Sequence, residues 1–456
     1  MNNLSVAVVG HTNVGKTSLI RTLLRDVNFG EVQDTAGTTR VVEGASLNIE
    51  NAGTLSLYDT PGLEDSIHLL HILNENQSPE SDGLDRLHTF LENVEDYPEL
   101  QQEAKVLRAL LNNDLIFYVI DLRTPILGKF RDELKILSYA AKPVIPVLNF
   151  LTAGASNIEE WKHQLARLNF HATVAFDSIQ FNFTDELKIY QKMQTLLMDK
   201  EALLQRLILQ RQQQWQQTLK IAQEKVANLF IDCAGLRLRS DNDEKAIQEN
   251  TEKLQVKIRK AESNCITELL DLYLFRQSDL NEQHLKIKEG EWELDLFSIE
   301  LLQEFGIETG GYIAKGAGAG VVIDLAVGGI TLGAAAATGG LLGAMWGVKK
   351  RYYNEIEASL RGSRYICLND ETLQVLWLRQ LSLLNVLQQR GHASLTTIEY
   401  TQLTKPTENQ FSKAWFSALK RIRRYPQWST LTKTKGRNHS EKRAETLQKL
   451  TSTFNH

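Results

Sequence analysis

The chain has 456 residues, 42% of them hydrophobic and 23% charged, with 51 Lys+Arg against 56 Asp+Glu and a formal net charge of -5. That much apolar material excludes a disordered chain, and the length points to two or three domains. Cys233, Cys265 and Cys367 fit neither a zinc spacing nor a secreted disulfide framework. The first residues lack the basic stretch and apolar core of a signal peptide, so the expected compartment is the cytoplasm.

In chain order, Leu4 to Val9 is a short apolar run of the kind a buried parallel strand needs. Arg40 to Ile49 and Thr54 to Tyr58 read as strands joined by the turn Asn51-Ala52-Gly53. Leu115 to Ile120, Pro143 to Leu148 and Ala172 to Phe176 complete six. Helical patterns lie between them at Lys16 to Leu24, Phe130 to Ala140, Glu159 to Leu168 and Glu186 to Met198. Strands alternating with helices predict an α/β fold, a mostly parallel sheet with helices on both faces. Residues 64–113 are long for one crossover and predict a helical insertion at Leu84 to Asn93 and Glu99 to Leu111. Beyond about residue 200 the strand signals stop. Leu204, Ile208, Trp215, Leu219, Ala222, Val226 and Leu229 form one apolar stripe on a long helix. Helical patterns continue at Leu294 to Phe305 and Leu373 to Leu387. The expected organisation is an α/β domain over 1–200 and a largely α-helical domain over 201–456.

The strongest motif is Gly10-His11-Thr12-Asn13-Val14-Gly15-Lys16-Thr17, followed by Ser18. It fits the phosphate-loop pattern, with a strand before it and a helix after it. Its glycines let backbone N–H groups turn toward phosphates, and the helix that follows adds its positive dipole end. Lys16 is expected to neutralise phosphate charge, and Thr17 to give its hydroxyl to Mg²⁺. Asp59-Thr60-Pro61-Gly62 ends the third strand. Asp59 can hold the Mg²⁺ through water, and Gly62 can bring its N–H to a terminal phosphate. Gly37-Thr38-Thr39-Arg40 lies between the first helix and second strand. A threonine there, Thr39 in preference to Thr38, would ligand Mg²⁺ only while that phosphate is present, which makes a switch.

Together these three sites resemble the translation-factor class of GTPases, in its Era and tRNA-modification branch, over roughly residues 1–200. The resemblance implies a P-loop domain that binds and hydrolyses GTP with Mg²⁺. Leu63 stands where Ras-like proteins carry a water-orienting glutamine, which implies slow turnover until the site is completed. Asn13 occupies the position where potassium-activated members ligate K⁺, and Glu64 and Asp65 could position water. After the fifth strand the family carries Asn/Thr-Lys-x-Asp, whereas this chain has Asn149-Phe150-Leu151-Thr152. Asn149 matches. Phe150 could stack on the base in place of lysine, and Asp177 could substitute for the missing acidic acceptor or simply cap a turn. Guanine specificity is therefore open. The phrases Val-Gly-His-Thr-Asn-Val-Gly-Lys-Thr, Tyr-Asp-Thr-Pro-Gly-Leu-Glu-Asp and Pro-Val-Leu-Asn-Phe also make the whole chain similar to a narrower group. These are proteobacterial GTPases whose helical C-terminal half is known as a domain of unknown function.

Leu325 to Val348 carries no charge over 24 positions, 13 of which are Gly or Ala. As a helix it would span about 36 Å. A packed soluble hairpin over 312–350, a hairpin that meets or enters the inner membrane through 316–348, and a stable spanning helix all remain open. From Lys413 to the end there are eleven Lys/Arg and two acids, a net +9 that leaves -14 on the rest. Trp415, Phe416, Tyr425 and Trp428 interleave with that charge, which suits either nucleic acid held by 413–456 or an amphipathic helix with its aromatics turned inward. The functional expectation is a slow GTP-driven switch whose helical half reports to a partner, a membrane or a second copy in a nucleotide-dependent dimer. A non-hydrolysing scaffold and an RNA- or ribosome-associated GTPase are the alternatives.

Overall fold

The structure, a computed structural model, describes residues 2–26, 29, 43–75, 81–151, 157–178, 180–241, 243–275, 287–288, 291–292, 295–298, 321–324, 364–389, 411–432 and 440–455. By internal contacts the chain forms two compact units, Met1–Trp215 with Gln388–Thr396, and Gln216–Leu387 with Thr397–His456.

The first unit contains strands β1 (Asn2–Val9), β2 (Glu43–Ile49), β3 (Gly53–Asp59), β4 (Leu115–Asp121), β5 (Val144–Asn149) and β6 (Val174–Ala175). They form one sheet in the order β2-β3-β1-β4-β5-β6. Only β2 runs antiparallel to its neighbour; every other pair is parallel. Alternate residues of the central strands enter two different cores. Leu4, Val6 and Val8 of β1 and Leu115, Phe117 and Val119 of β4 pack on one face. Ala7 and Val9 with Ile116, Tyr118 and Ile120 pack on the other. A strand covered on both faces has no polar side, which is why these runs read as continuously apolar.

Helices α1 (Lys16–Leu24) and α7 (Phe183–Leu196) line the first face with the start of α8 (Glu201–Gly235). The other face carries α2 (Ser66–Asn74), α3 (Gly83–Glu92), α4 (Gln101–Asn112), α5 (Gly128–Tyr139) and α6 (Ile158–Arg167). Residues 64–113 thus contribute α2, α3 and α4 to this layer. Asp65 caps α2 by accepting from the His68 N–H, and Asp82 and Asp85 close a capping box on α3. Trp215 stacks on Phe183 with ring centroids 5.0 Å apart and meets Phe181 edge-on. This aromatic group carries the first unit past residue 200 to Trp215.

The second unit is largely helical, with the rest of α8, then α9 (Glu244–Leu272), α10 (Asp370–Gln389), α11 (Lys413–Arg424) and α12 (Ser440–Thr451). Strand structure does not stop at residue 200, however. Here β7 (Leu238–Ser240), β10 (Val321–Asp324) and β11 (Arg364–Leu368) make an antiparallel sheet, and β8 (Ile287–Lys288) pairs with β9 (Glu291–Trp292). These strands are five residues or shorter, too short for a period to separate strand from helix. Leu294 to Phe305 lies outside the described residues apart from Asp295–Ser298, a turn closed by Ser298 N–H to the Asp295 carbonyl. Residues 325–348 also lie outside them. Among the described residues no helix is long and apolar enough to cross a membrane.

Two of the four C-terminal aromatics, Trp415 and Trp428, turn inward. Trp415 and Trp428 are buried, and Phe230 lies 5.0 Å from Trp415. Arg423 is buried as well, donating to the Leu368 carbonyl and pairing with Asp370. Those side chains hold the unit together and present neither ring face nor charge to a nucleic acid. Phe416, Lys413, Lys420 and Arg424 remain exposed.

Candidate phosphate-binding site

The parallel registers Val8↔Asp59 and Asp121↔Asn149 bring the carboxyl ends of β1, β3, β4 and β5 to one edge of the sheet. Ligands of open α/β sheets bind outside such an edge. The segment Gly10–Gly15 leaves β1 there and turns into α1. Gly10, Asn13 and Gly15 take φ values of +151°, +65° and +96°. A Cβ on Gly10 would sit 2.6 Å from the Val119 carbonyl oxygen, and one on Gly15 would strike the Asn149 amide. Both positions therefore require glycine.

Lys16 is buried, and its ammonium donates to the carbonyls of Gly10 (3.2 Å) and His11 (2.9 Å). Burial lowers its pKa, opposed by the nearby charge of Asp59. The Thr17 hydroxyl donates to the Asp59 carboxylate. Thr60 is fixed beneath them by a 2.8 Å bond to the Val8 carbonyl. Gly62 lies so close to the loop that a Cβ there would fall 2.7 Å from the Thr12 nitrogen. The Glu64 carboxylate accepts from the Thr12 hydroxyl at 2.8 Å. Asn13 is exposed. Thr39 and the rest of Gly37–Arg40 lie outside the described residues, as does Thr152.

At the other end of the loop, Asn149 is buried and ties three segments together. Its amide donates to the Val14 carbonyl at 3.0 Å, and its oxygen accepts from Phe150 N–H, Ser178 N–H and the Ser178 hydroxyl. Phe150 follows in a left-handed conformation, φ +58°, with its ring against the position a Gly15 Cβ would take. Arg123 covers that ring, its guanidinium carbon 3.7 Å from the centroid, while pairing with Asp121 at 2.7 Å. The Asp121 carboxylate raises the Arg123 pKa further. The Asp177 carboxylate accepts from the Leu151 and Gln180 N–H groups, the pattern of a turn cap.

Two family models match the chain. Residues 5–150 match the family described as 50S ribosome-binding GTPase, and residues 162–452, more than half of the chain, match the domain of unknown function DUF3482. The chain belongs to the DUF3482 family. Its first unit is a P-loop GTPase domain. Among curated proteins, it is similar to the tRNA modification GTPase MnmE of Malacoplasma penetrans (29% identity over 150 residues, 32% of this chain and 33% of that protein). It is also similar to MnmE of Staphylococcus haemolyticus (31% over 116 residues, 25% of each chain). The chain thus spans a third or less of the length of these relatives. Among solved structures, Era in complex with MgGDPNP and nucleotides 1506-1542 of 16S ribosomal RNA aligns over 42% of this chain and 57% of its own, at 23% identity and a TM-score of 0.30.

The site also contains residues that sequence reasoning passed over. Glu133 is fully buried on α5, where its carboxylate accepts from the Tyr118 hydroxyl at 2.7 Å and stands 3.1 Å from His11 Nδ1. His11 Nδ1 lies 2.8 Å from the Leu63 carbonyl, and Lys129 Nζ lies 2.7 Å from His11 Nε2. Burial, then the Glu133 charge, pushes the Tyr118 phenol well above its ordinary pKa, so it stays a donor. The Glu133 hydrogen bond raises the His11 pKa against the effect of burial. One signal was available: Glu133 interrupts the apolar stripe Phe130, Leu134 and Leu137, and a carboxylate in such a stripe needs a buried partner.

Proposed function

We propose that this protein is a Mg²⁺-dependent GTP-binding switch that hydrolyses GTP slowly and reports its nucleotide state through the DUF3482 unit. The observation that carries the reading is the buried Lys16 ammonium beside the paired Thr17 and Asp59, on a glycine-shaped loop at the carboxyl edge of the sheet. Thr17 and Asp59 are hard oxygen donors already in contact, the donor type that Mg²⁺ takes. Thr39 would join them. Bound there, Mg²⁺ would supply charge neutralisation for the phosphates.

The chain's own groups account for the rest. Lys16 redirects its donors from the Gly10 and His11 carbonyls to the phosphate oxygens, where developing charge is stabilised. Gly62 offers its N–H beside the loop. Glu64, held over Thr12, is the polar side chain placed to orient the attacking water, since Leu63 is fully buried and carries no polar group. At the base end, Asn149 holds the surrounding loops in register, and the Phe150 ring lies buried under the Arg123 guanidinium, so a base would stack on that ring only with Arg123 displaced.

Calorimetric titration of wild type and Lys16→Ala with GDP, ADP and their non-hydrolysable triphosphate analogues, with and without Mg²⁺, tests the reading. Wild type binds guanine nucleotides, and Lys16→Ala weakens triphosphate binding on the order of a hundredfold. Absence of affinity for every purine triphosphate ends the proposal; an adenine preference removes only the base assignment. Turnover in potassium above that in sodium supports a cation at Asn13, and equal rates remove it.

A second reading, an RNA- or ribosome-associated GTPase, is favoured by the 50S ribosome-binding description of the family matched over residues 5–150. Nucleotide-dependent co-sedimentation with 50S subunits, weakening steeply with salt, would support it. Liposome co-sedimentation lost on deleting 316–348 would instead point to a membrane.

A further inference from the structure

We propose that His11, Glu133, Tyr118 and Lys129 are a positioning assembly that holds the Leu63–Glu64 turn on the phosphate loop, so that the Glu64 carboxylate stays over Thr12 during hydrolysis. This rests on the hydrolytic role of Glu64 proposed above and adds the residues that place it.

The chemistry of the partners defines the arrangement. A backbone carbonyl only accepts hydrogen bonds, and an ammonium only donates them. His11 Nδ1 therefore carries the proton it gives to the Leu63 carbonyl, shared with Glu133, and Nε2 receives from Lys129. Glu133 holds the ring at the same nitrogen, Nδ1, and is itself oriented by the Tyr118 hydroxyl. A buried carboxylate is costly unless it is hydrogen-bonded, and an apolar residue would fill this position in α5 at lower cost. Its presence is explained by the loop histidine it holds.

The turn itself is pinned at four successive residues. The Leu63 side chain is fully buried in the same core as Phe130 and Leu134, while its carbonyl is held by His11. Glu64 accepts from Thr12. The Asp65 N–H donates to the buried Glu103 carboxylate at 3.2 Å, and the Ser66 hydroxyl to the Lys129 carbonyl at 2.9 Å. Lys129 thus contacts both the loop histidine and the start of α2. Residues His11 and Thr12 are neighbours in the loop, so a loop that shifts around phosphates carries the turn with it. Leu63 in this setting is an anchor, and its carbonyl rather than its side chain is what the loop grips.

Glu133→Gln and Tyr118→Phe test the assembly. Tyr118→Phe removes one hydroxyl and keeps the ring, so it decides the matter if Glu133→Gln folds poorly. With GTP and Mg²⁺, both variants should lower kcat about tenfold, with the affinity for GDP and for a non-hydrolysable GTP analogue within about twofold of wild type. Hydrogen exchange over residues 62–68 should rise in both, with β1 and α1 unchanged, a local loosening that a general packing defect would not produce. An unchanged kcat, or a kcat that falls only in step with nucleotide affinity, overturns the proposal. If wild type binds nucleotide without hydrolysing it, the hydrolytic reading fails separately, and unchanged exchange over 62–68 then overturns the clamp itself.

Discussion

The two ends of the proposed nucleotide site are built by different means. At the phosphate end, backbone does the work: Gly10 and Gly15 hold φ values that side chains rarely adopt, and loop carbonyls receive the buried lysine. At the proposed base end, side chains do it, with Asn149 linking three loops and Arg123 stacked on Phe150. Backbone geometry tolerates almost no substitution at its glycines, whereas a stack of side chains can be rebuilt from other residues. The phosphate motif is therefore intact in this chain, while the base motif keeps only its asparagine.

The largest effect that separates the two ends is expected from Gly15→Ala. The left-handed backbone alone costs about 1–3 kcal/mol for a residue with a Cβ. The added methyl would also press on the Asn149 amide and break its bond to Val14. Nucleotide binding should be lost and the thermal midpoint of the first unit should drop. A variant that keeps wild-type affinity for GDP would show that this loop is softer than its φ values imply.

The same contrast explains what could be read from the sequence. The turn Gly10–Gly15 between strand and helix was legible because a local backbone shape demands particular residues at fixed spacing. The parallel sheet was legible in its central strands because both of their faces are apolar. The Arg123–Phe150 stack and the His11–Glu133 contact join positions 27 and 122 residues apart in sequence, and no local pattern announces such pairs. Glu133 alone left a trace, as a charge in an apolar stripe. In the second unit, β7, β10 and β11 escaped because three to five residues are too few to show a period. The basic, aromatic C-terminal run had two readings, and burial of Trp415, Trp428 and Arg423 places those residues in the core.

A middle-sized effect should come from Phe150→Ala. Removing the ring takes away the surface on which the Arg123 guanidinium rests at the base end and changes no residue of the glycine loop. GDP affinity should fall about tenfold, while competition by inorganic pyrophosphate, which reports the phosphate end alone, should stay within about twofold. A parallel fall in both would mean that the two ends act as one unit.

The smallest effect is expected from Arg123→Gln. Its side chain is 47% exposed, so its pair with Asp121 is worth at most about 1 kcal/mol, and the stack on Phe150 adds a similar amount. Glutamine keeps a planar polar tip that can still lie on the ring. The thermal midpoint should move by only a few degrees, and GDP affinity should hold within about twofold. An arginine that merely supports Phe150 allows nothing more. A guanidinium, however, carries donors beyond those engaged by Asp121, and donors suit the O6 and N7 acceptors of guanine, while adenine presents an amino donor in place of O6. If Arg123→Gln costs tenfold or more in GDP affinity and leaves ADP binding alone, Arg123 reads the base itself. Discrimination would then sit on the loop after β4, displaced from the strand end where the lost aspartate of the family motif would have stood.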